Sequence, residues 1–263
     1  MAYSRIGIIG AGVMGEAIII SLLRAGLASN SIVIVEKRVE RQEEIVSQYK
    51  VSTGSISDCD VVFLLVKPQD LEVTLTSFRD QIQASSLVIS FVAGKKISTI
   101  EKALDGSQRV IRVMPNTPMT LGKGFCGMSL GSLATEADKK WLELSLSTSS
   151  RVITVSEDLQ DAITALSGSG PAYLFAMVEA MADAGVRLGL KEAEAREAAK
   201  QVLIGAAAMV ESSGKDPQIL RENVTSPNGT TFAALETLKE KGFEELIYSA
   251  MKSARDRSVE LGK

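Results

Sequence analysis

The sequence predicts an α/β fold, in which an N-terminal Rossmann-type doubly wound sheet is followed by an all-α C-terminal domain. Short runs that are apolar throughout alternate with helical segments up to residue 155, and alanine-rich helical segments take over beyond it. A glycine-rich turn also follows the first apolar run. Strands that are apolar on both faces are typical of parallel sheets covered by helices on both sides. We therefore expect two domains, residues 1–155 and residues 156–263.

The elements of the first domain follow from the period of their apolar residues. Strands are predicted at Ile6–Ile9, Ile32–Val35, Val61–Val66, Leu87–Val92, Arg109–Val113, Phe125–Leu130 and Val152–Val155. Helices are predicted at Glu16–Ala25, Val39–Tyr49, Leu71–Phe78 and Thr135–Leu146. One more helix should open at Ser98, because Ser98 and Glu101 have capping-box spacing. Right-handed crossovers then give an open sheet, which we expect to be parallel.

The second domain shows helical periodicity only. Apolar residues recur at helical spacing over Pro171–Leu188, and much of Lys191–Ser212 is apolar on nearly all sides. Another helix follows Gly229–Thr231, and a last one ends near Leu261. A helix that is apolar all round is buried in a core or in an interface. We therefore expect these helices to join copies of the chain in a homodimer or higher oligomer.

Composition and charge exclude several classes of function. The net charge of −3 does not provide the basic surface that nucleic-acid binding needs, so we expect no nucleic-acid partner. The chain has no histidine, which excludes histidine-based zinc sites and Ser-His-Asp triads, and we expect no metal. Cys59 and Cys126 are predicted to be reduced thiols. The apolar runs are shorter than the ~20 residues of a membrane span, and the N-terminus does not resemble a signal peptide, so we expect a cytoplasmic protein without membrane contact.

The glycine-rich turn has the spacing of a dinucleotide-binding loop. Gly10, Gly12 and Gly15 form G-x-G-x-x-G between a predicted strand and a predicted helix. The first glycine permits a tight turn, the second lets the backbone approach a pyrophosphate, and the third lets the helix pack closely. The N-terminus of the helix adds free N–H groups and a positive dipole. The sequence therefore predicts a nicotinamide dinucleotide on the loop of residues 7–15.

Three charged residues follow the second predicted strand and give conflicting signals about the cofactor. Glu36 lies 21 residues after Gly15, where an acidic side chain hydrogen-bonds the ribose hydroxyls of NAD. Lys37 and Arg38 are instead suited to the 2′-phosphate of NADP. Both NADPH and NADH therefore remain open at this point, and NADPH is the one we favour.

Other loops are expected near the same ligand, because ligands bind at the carboxyl edge of such sheets. Lys67–Pro68, Ala93–Gly94 and Met114–Pro118 each follow a predicted strand. They are either plain turns or ligand walls, and the glycine loop favours the second interpretation. Ser167–Pro171 and Val224–Thr231 place small residues and hydroxyls before predicted helices. Such helix N-termini suit a carboxylate, although ordinary capping is the alternative.

Taken in order, these motifs closely resemble those of pyrroline-5-carboxylate reductases over essentially the whole chain. The specific ones are Leu166–Tyr173 and Val224–Thr231, since the glycine loop is shared with many dehydrogenases. The resemblance implies reduction of Δ1-pyrroline-5-carboxylate to L-proline with NADPH or NADH, the last step of proline synthesis. It also implies a dimer with interlocked helical domains and an active site at the dimer interface.

The resemblance also implies site residues, carried over position by position. The cofactor-binding set is Ile9, Gly10, Ala11, Gly12, Val13, Met14, Glu36, Lys37, Arg38, Leu65, Val66, Lys67, Pro68, Phe91, Val92 and Ala93. We expect the nicotinamide to lie near Ala93, Met114 and Asn116. The substrate-binding set is Glu157, Asn223, Ser226, Gly229, Thr230 and Thr231, and the catalytic hydroxyl belongs to Thr231 or Thr230.

The chain departs from the family pattern in two places. The family usually has two glycines after Ser-Pro, and the first of them is Asn228 here. Asparagine tolerates the left-handed backbone conformation better than most residues, so we expect the loop shape to survive. The segment between Tyr49 and Asp58 is short, and an asparagine that contacts the cofactor in relatives has no clear counterpart there.

The chemistry of a cyclic imine fits a chain without histidine. A protonated C=N carbon accepts hydride readily, so the protein's work is mostly positioning. We expect the substrate carboxylate on the N–H groups of residues 229–231 and a threonine hydroxyl near the ring nitrogen. One alternative is a β-hydroxyacid dehydrogenase, but the acid–base lysine of those enzymes is missing from the helix after Ser167–Pro171. A second alternative is a non-catalytic dinucleotide-dependent regulator, which would not need the cradle at Thr225–Thr231.

Overall fold

The computed structural model describes residues 3–262 and contains one eight-stranded sheet and a series of C-terminal helices. The strands are β1 Ile6–Ile9, β2 Ile32–Val35, β3 Ser52–Thr53, β4 Val61–Leu64, β5 Leu87–Ser90, β6 Arg109–Met114, β7 Gly124–Leu130 and β8 Ser150–Thr154. The helices are α1 Val13–Arg24, α2 Val39–Tyr49, α3 Leu71–Phe78, α4 Ile97–Ala103, α5 Glu136–Leu146, α6 Gln160–Ile163, α7 Gly170–Arg187, α8 Glu192–Ser213, α9 Pro217–Asn223, α10 Thr230–Glu240 and α11 Phe243–Gly262. The predicted fold class is therefore confirmed.

The chain forms two compact units. The first contains residues 3–169 together with residues 254–262, the end of α11, and the second contains residues 170–253. The domain limits expected from the sequence, 1–155 and 156–263, remain a prediction.

The strand order places a topological switch point beside β1. The order is β3-β2-β1-β4-β5-β6-β7-β8, so the chain proceeds in opposite directions across the sheet from β1 to β2 and from β1 to β4. Ligands of doubly wound sheets bind in the crevice at the carboxyl ends of the strands at such a point. The glycine-rich turn follows β1 and therefore lies at this position.

The expectation of a wholly parallel sheet is wrong at one pair of strands. β6 and β7 are antiparallel, with Met114 opposite Gly127, whereas β7 and β8 are again parallel. Only residues 115–123 connect β6 to β7, and they include a 3₁₀ turn at Thr117–Leu121. A parallel crossover requires about a dozen residues or more, so this connection reverses the chain direction.

Both faces of the sheet are buried. On one face, Ile8 and Ile34 pack against Ile18 of α1 and Leu142 of α5. The strand residues of the other face pack against α3 and α4, through a core formed by Ile9, Val33, Val62, Leu64, Val88, Leu71, Leu75, Ile97 and Ile100. This double burial explains why the strands are apolar throughout.

One helix start differs from the one expected, and another agrees with it. α4 begins at Ile97, and its N-cap residue Lys96 makes no side-chain capping bond, so the predicted capping box of Ser98 and Glu101 is absent. The predicted helix start near Pro171 is confirmed: α7 begins at Gly170, with Pro171 in its first turn, and a π-helical turn at Thr164–Gly168 precedes it. The Ser169 N–H, just before α7, donates to the Thr164 carbonyl, so this group is not free for a ligand.

The second unit buries few of its side chains. Ala182, Ala195 and Ala199 are the buried residues of the range 170–253, and they lie where α7 packs against α8. Gly185 permits this close approach, because a Cβ atom there would lie 3.1 Å from the Cβ of Ala195. Larger apolar side chains of both helices, such as Phe175 and Val202, are exposed.

Both cysteines are buried and free, and burial raises the pKa of Cys59 and that of Cys126 to about 11, so neither is a reactive thiolate. Among the helices of residues 3–262, none has the length and apolar character that a bilayer crossing demands.

Candidate functional site

The turn between β1 and α1 has the backbone geometry that its glycines predict. Gly10 has a φ of +98°, and a Cβ atom there would lie 2.5 Å from the Leu65 carbonyl oxygen. A Cβ atom on Gly15 would lie 2.2 Å from the Gly10 carbonyl oxygen, so only glycine allows α1 to start this close to the turn. Gly12 faces open space, since a Cβ atom there would have no neighbour within 4 Å.

The N-terminus of α1 presents backbone N–H groups beside this open space. Its first intrahelical bond runs from the Glu16 N–H to the Gly12 carbonyl at 2.9 Å. The N–H groups of Val13, Met14 and Gly15 therefore have no acceptor within the helix. The N-cap Gly12 cannot supply a capping side chain. This arrangement is suited to an anion such as a pyrophosphate.

Glu36 is at the end of β2 and is bound to the turn itself. Its Oε2 accepts the Ala11 N–H at 3.0 Å, and its Oε1 accepts both the backbone N–H and the Nε–H of Arg38 at 3.1 Å. Burial alone would raise the pKa of Glu36, but the hydrogen bonds from Arg38 and Ala11 outweigh it, and the pKa lies below its ordinary value. Lys37 and Arg38 remain exposed. The charged residues expected beside the cofactor are thus next to the glycine turn.

Sequence reasoning missed a second support of this turn. Arg41 of α2 donates through Nε to the Ala11 carbonyl at 3.0 Å and pairs with Glu16 of α1 at 2.5 Å. The Tyr49 hydroxyl donates to the other oxygen of Glu16 at 2.6 Å. Burial and this bond to Glu16 raise the pKa of Tyr49 to about 12, so it remains a donor at neutral pH. The sequence shows Arg41 three residues after Arg38, but its partners Ala11 and Glu16 could not be inferred, because they depend on how α1 packs on α2.

The loops after β4 and β5 begin at the carboxyl ends of these strands, at the same edge as the glycine turn. Leu65 N–H donates to the Ile9 carbonyl at 2.9 Å, which holds the loop against the glycine turn. Phe91 and Val92 have buried side chains that belong to the two opposite cores. Ala93 is half-buried at the edge. Of the predicted set, Leu65, Val66 and Pro68 are likewise half-buried, and Lys67 is exposed.

Met114 and Asn116 follow β6 at the same edge of the sheet. The Oδ1 of Asn116 accepts the Phe125 N–H at 2.9 Å, so this side chain holds the start of β7. Met114 packs against the π-helical turn, since a Cβ atom on Gly168 would lie 2.6 Å from its methyl carbon.

Five of the predicted substrate residues are together at the junction between α9 and α10. Asn223 ends α9, and Ser226 begins a β-turn that the Gly229 N–H closes by donating to the Ser226 carbonyl at 3.0 Å. Asn228 has a φ of +57° after Pro227, which is the geometry of a type II turn. Asn228 thus adopts the left-handed conformation that the sequence analysis expected asparagine to tolerate.

The same turn opens α10 with unbonded N–H groups. Gly229 is the N-cap, and the first intrahelical bond runs from the Ala233 N–H to its carbonyl at 3.1 Å. The N–H groups of Thr230, Thr231 and Phe232 consequently have no acceptor within the helix. A Cβ atom on Gly229 would lie 2.3 Å from the Ser226 Oγ and 3.1 Å from the Ser226 carbonyl oxygen, so a side chain here would displace the Ser226 hydroxyl.

Glu157, the sixth substrate residue expected, belongs to the first unit and is bound to groups of that unit. Its Oε1 accepts the Ile97 N–H at 2.6 Å and pairs with Arg112 at 3.4 Å. Arg112 is 2% exposed and also lies 3.6 Å from Asp161. Within residues 3–262, no group of three or more potential ligands among histidine, cysteine, aspartate and glutamate is arranged to hold a metal ion.

Two family models match this chain. Residues 157–261 match the model described as pyrroline-5-carboxylate reductase dimerisation, and residues 5–94 match that of NADP oxidoreductase, coenzyme F420-dependent. The first model covers most of the C-terminal helices, which indicates that the chain self-associates. The second covers the glycine turn and the charged residues after β2, which indicates a nicotinamide dinucleotide site.

Full-length relatives agree with both models. The chain is 39% identical over 268 aligned residues to the pyrroline-5-carboxylate reductase of Corynebacterium melassecola, with 99% of each chain covered. It is similar to the solved structure of a pyrroline-5-carboxylate reductase from Coxiella burnetii, with a TM-score of 0.90, 33% identity and 99% of both chains covered. It is also similar to a pyrroline carboxylate reductase of Plasmodium falciparum with NADP bound, with a TM-score of 0.84, 26% identity and 98% of both chains covered.

Proposed function

This chain belongs to the pyrroline-5-carboxylate reductase family, and we propose that it reduces Δ1-pyrroline-5-carboxylate to L-proline with hydride from a nicotinamide dinucleotide. The observation that carries the proposal is the turn between α9 and α10. It places two threonine hydroxyls and three unbonded N–H groups at one helix N-terminus. A non-catalytic dinucleotide-binding protein has no use for such a cradle.

The residues of the first unit fit the dinucleotide. The unbonded N–H groups of Val13 and Met14 would hold the pyrophosphate, and the bare Gly12 leaves space for it. Loops around Leu65 and Ala93 would line the path along the sheet edge. The bound cofactor supplies the hydride.

We propose NADPH as the preferred cofactor. Both oxygens of Glu36 are engaged by Ala11 and Arg38, and the arginine compensates the carboxylate charge. The exposed Lys37 and Arg38 are suited to a 2′-phosphate, which NADPH carries and NADH lacks. NADH remains the alternative, since a carboxylate can accept further hydrogen bonds from ribose hydroxyls.

In this proposal the second unit binds the substrate. The carboxylate of the substrate accepts the N–H groups at the start of α10, where the helix dipole also favours a negative charge. The hydroxyl of Thr231, or that of Thr230, lies near the ring nitrogen and orients the C=N bond. Asn223 and Ser226 complete the cradle. We also propose Glu157 as a substrate-binding residue.

The proposal also includes a homodimer, or a higher oligomer, joined by the C-terminal helices, with the active site at its interface. A cytoplasmic location, as expected from the sequence, is also part of the proposal.

Steady-state kinetics with the purified chain test the function directly. The protein is mixed with pyrroline-5-carboxylate and either NADPH or NADH, and the nicotinamide absorbance band is followed. We expect turnover with both cofactors and a higher kcat/KM with NADPH. No oxidation of either cofactor would refute the function, whereas a higher kcat/KM with NADH would refute only the cofactor preference.

Thr231→Ala tests the role of the hydroxyl. We expect kcat to fall at least about tenfold, because the ring nitrogen loses its partner. Thr237→Ala is the matched control, since Thr237 lies on the same helix and its hydroxyl donates only to the Ala233 carbonyl. Wild-type kinetics for Thr231→Ala would exclude this role of Thr231.

A further inference from the structure

β6 contains a buried arginine that no role proposed above uses. Arg112 is 2% exposed and lies between the apolar residues Ile111 and Val113 of β6. A buried guanidinium is costly unless charged partners surround it. Its two partners, Glu157 at 3.4 Å and Asp161 at 3.6 Å, are both carboxylates, and its Nη2 makes no geometrically good hydrogen bond. Both carboxylates therefore face the same buried guanidinium.

Each carboxylate extends the network to another element. Glu157 accepts the Ile97 N–H at 2.6 Å, and therefore caps the first turn of α4. Asp161 accepts the hydroxyl of Ser258, which is buried near the end of α11, at 2.6 Å. Arg112 thus joins the start of α4 and the end of α11 to the centre of the sheet.

These elements enclose the loop where the nicotinamide is expected. Arg112 pairs with Ser90, the last residue of β5, and residues 91–94 follow it directly. Gly94, with a φ of +74°, lies against the end of α11, since a Cβ atom there would be 2.7 Å from the Ser258 carbonyl oxygen and 3.0 Å from the Gly262 nitrogen. Ile97 begins α4 three residues after Gly94. The loop is therefore held by elements that the arginine joins.

We infer that Arg112 is a positioning residue for the reductase, which orders the Ala93–Gly94 loop through Glu157, Asp161 and Ser258. This inference rests on the proposed function for its kinetic consequence. Arg112 does not touch the substrate; it fixes the backbone on which the nicotinamide lies. Its loss should weaken cofactor binding and misalign the hydride donor, because small displacements of reacting atoms have large effects on rate.

Arg112→Lys is the principal test. The variant retains the positive charge, but a single ammonium cannot present two donor groups in the fixed plane of a guanidinium. We expect the dissociation constant for NADPH, measured by nicotinamide fluorescence, to rise about fivefold and kcat to fall about tenfold. The primary deuterium isotope effect on kcat should increase, because hydride transfer becomes the slow step.

Arg109→Lys is the matched control. Arg109 lies at the opposite end of the same strand and pairs with the buried Asp138 and the Tyr3 hydroxyl. This variant should lower the Tm as Arg112→Lys does, while its NADPH dissociation constant, kcat and isotope effect remain those of the wild type. The comparison separates positioning from general destabilisation.

Ser258→Ala and Asp161→Asn keep the test decisive if Arg112→Lys does not fold. Both leave the arginine in place, and each should raise the NADPH dissociation constant at least about twofold. Wild-type NADPH affinity and kinetics in every folded variant would overturn the inference. If the wild-type chain does not reduce pyrroline-5-carboxylate, the proposed function fails, and the NADPH dissociation constants still decide the role of Arg112.

Discussion

At the scale of single residues, Asp138 shows how this fold stabilises a buried charge. The carboxylate is 0% exposed, and it accepts hydrogen bonds from Tyr3, Arg109 and both the N–H and the hydroxyl of Thr135. Burial alone would raise the pKa of Asp138, but these donors and the positive charge of Arg109 outweigh it, and the pKa lies below its ordinary value. The ionised form is therefore the stabilising one.

Asp138→Asn should lower the free energy of unfolding by about 3 kcal/mol at pH 7, since an amide cannot accept from all four donors. Because the folded pKa is lowered, the contribution is complete above the unfolded pKa of about 4 and is lost as the pH falls through the folded pKa. Urea unfolding at one protein concentration should thus show a constant difference from pH 7 to about pH 5 and a smaller one below. The exposed Asp80→Asn is the control, and a difference that does not vary with pH would contradict this linkage.

Residue positions could be predicted from the sequence better than residue partners. The spacing after Gly15 places Glu36 at the end of β2, where the structure has it. The bond from Ala11 to Glu36 could not be inferred, because it depends on the path of the glycine turn in space. An arginine within the apolar run of β6 indicates a buried ion pair, but Glu157, 45 residues away, is not identifiable from the pattern.

At the scale of elements, α4 and α5 show why a local capping pattern succeeds at one helix and fails at another. At α5, Thr135 and Asp138 form both bonds of a capping box. At α4, the carboxylate of Glu157 binds the Ile97 N–H, so the helix starts before Ser98. A long-range carboxylate has replaced the local cap, and only the tertiary fold reveals it.

Thr135→Ala and Ser98→Ala form a matched pair that tests this difference. Thr135→Ala should lower the free energy of unfolding by about 1 kcal/mol, because the Asp138 N–H loses its acceptor at the helix start. Ser98→Ala should change it by less than about 0.5 kcal/mol, since Ser98 is exposed and caps nothing. Denaturant unfolding of both variants at one protein concentration measures the two values. An equal loss in both would mean that Ser98 is a capping residue after all.

The elements that sequence reasoning did not anticipate are those without a period of their own. β3 has two residues, too few for an alternation to be visible. The π-helical turn at Thr164–Gly168 lies within a helical pattern, and a shift from the α to the π hydrogen bond leaves no mark on the apolar spacing. The reversal between β6 and β7 was foreseeable, in contrast, from the short connection between them.

At the scale of the whole molecule, the C-terminal helices carry an excess of exposed apolar side chains. Within residues 170–253 the buried residues are alanines, whereas Phe175 of α7 is 60% exposed and Val202 of α8 is 55% exposed. Burial of such a side chain in an interface would contribute about 25 cal/mol of stabilising free energy for each Å² of apolar surface removed from water. The apolar residues on nearly all sides of these helices predicted that apolar surface would remain for an interface. The pattern could not predict which of these residues a second copy would cover. Because α7 packs on α8 through alanines, Phe175 and Val202 stay exposed, and we expect a second copy to cover such residues.

Phe175→Glu should therefore disrupt the homodimer proposed for the C-terminal helices, because a carboxylate on α7 cannot be buried in an apolar interface without a charged partner. Size-exclusion chromatography with light scattering should give a wild-type mass of at least twice 28.0 kDa and a species near 28.0 kDa for the variant. Leu144→Glu is the matched control: Leu144 is 69% exposed but lies on α5, in the first unit, and its substitution should leave the mass unchanged. Turnover should fall with dissociation in Phe175→Glu alone, since the proposed active site lies at the dimer interface. A wild-type mass of 28.0 kDa, or dissociation of the Leu144→Glu variant instead, would contradict this interface.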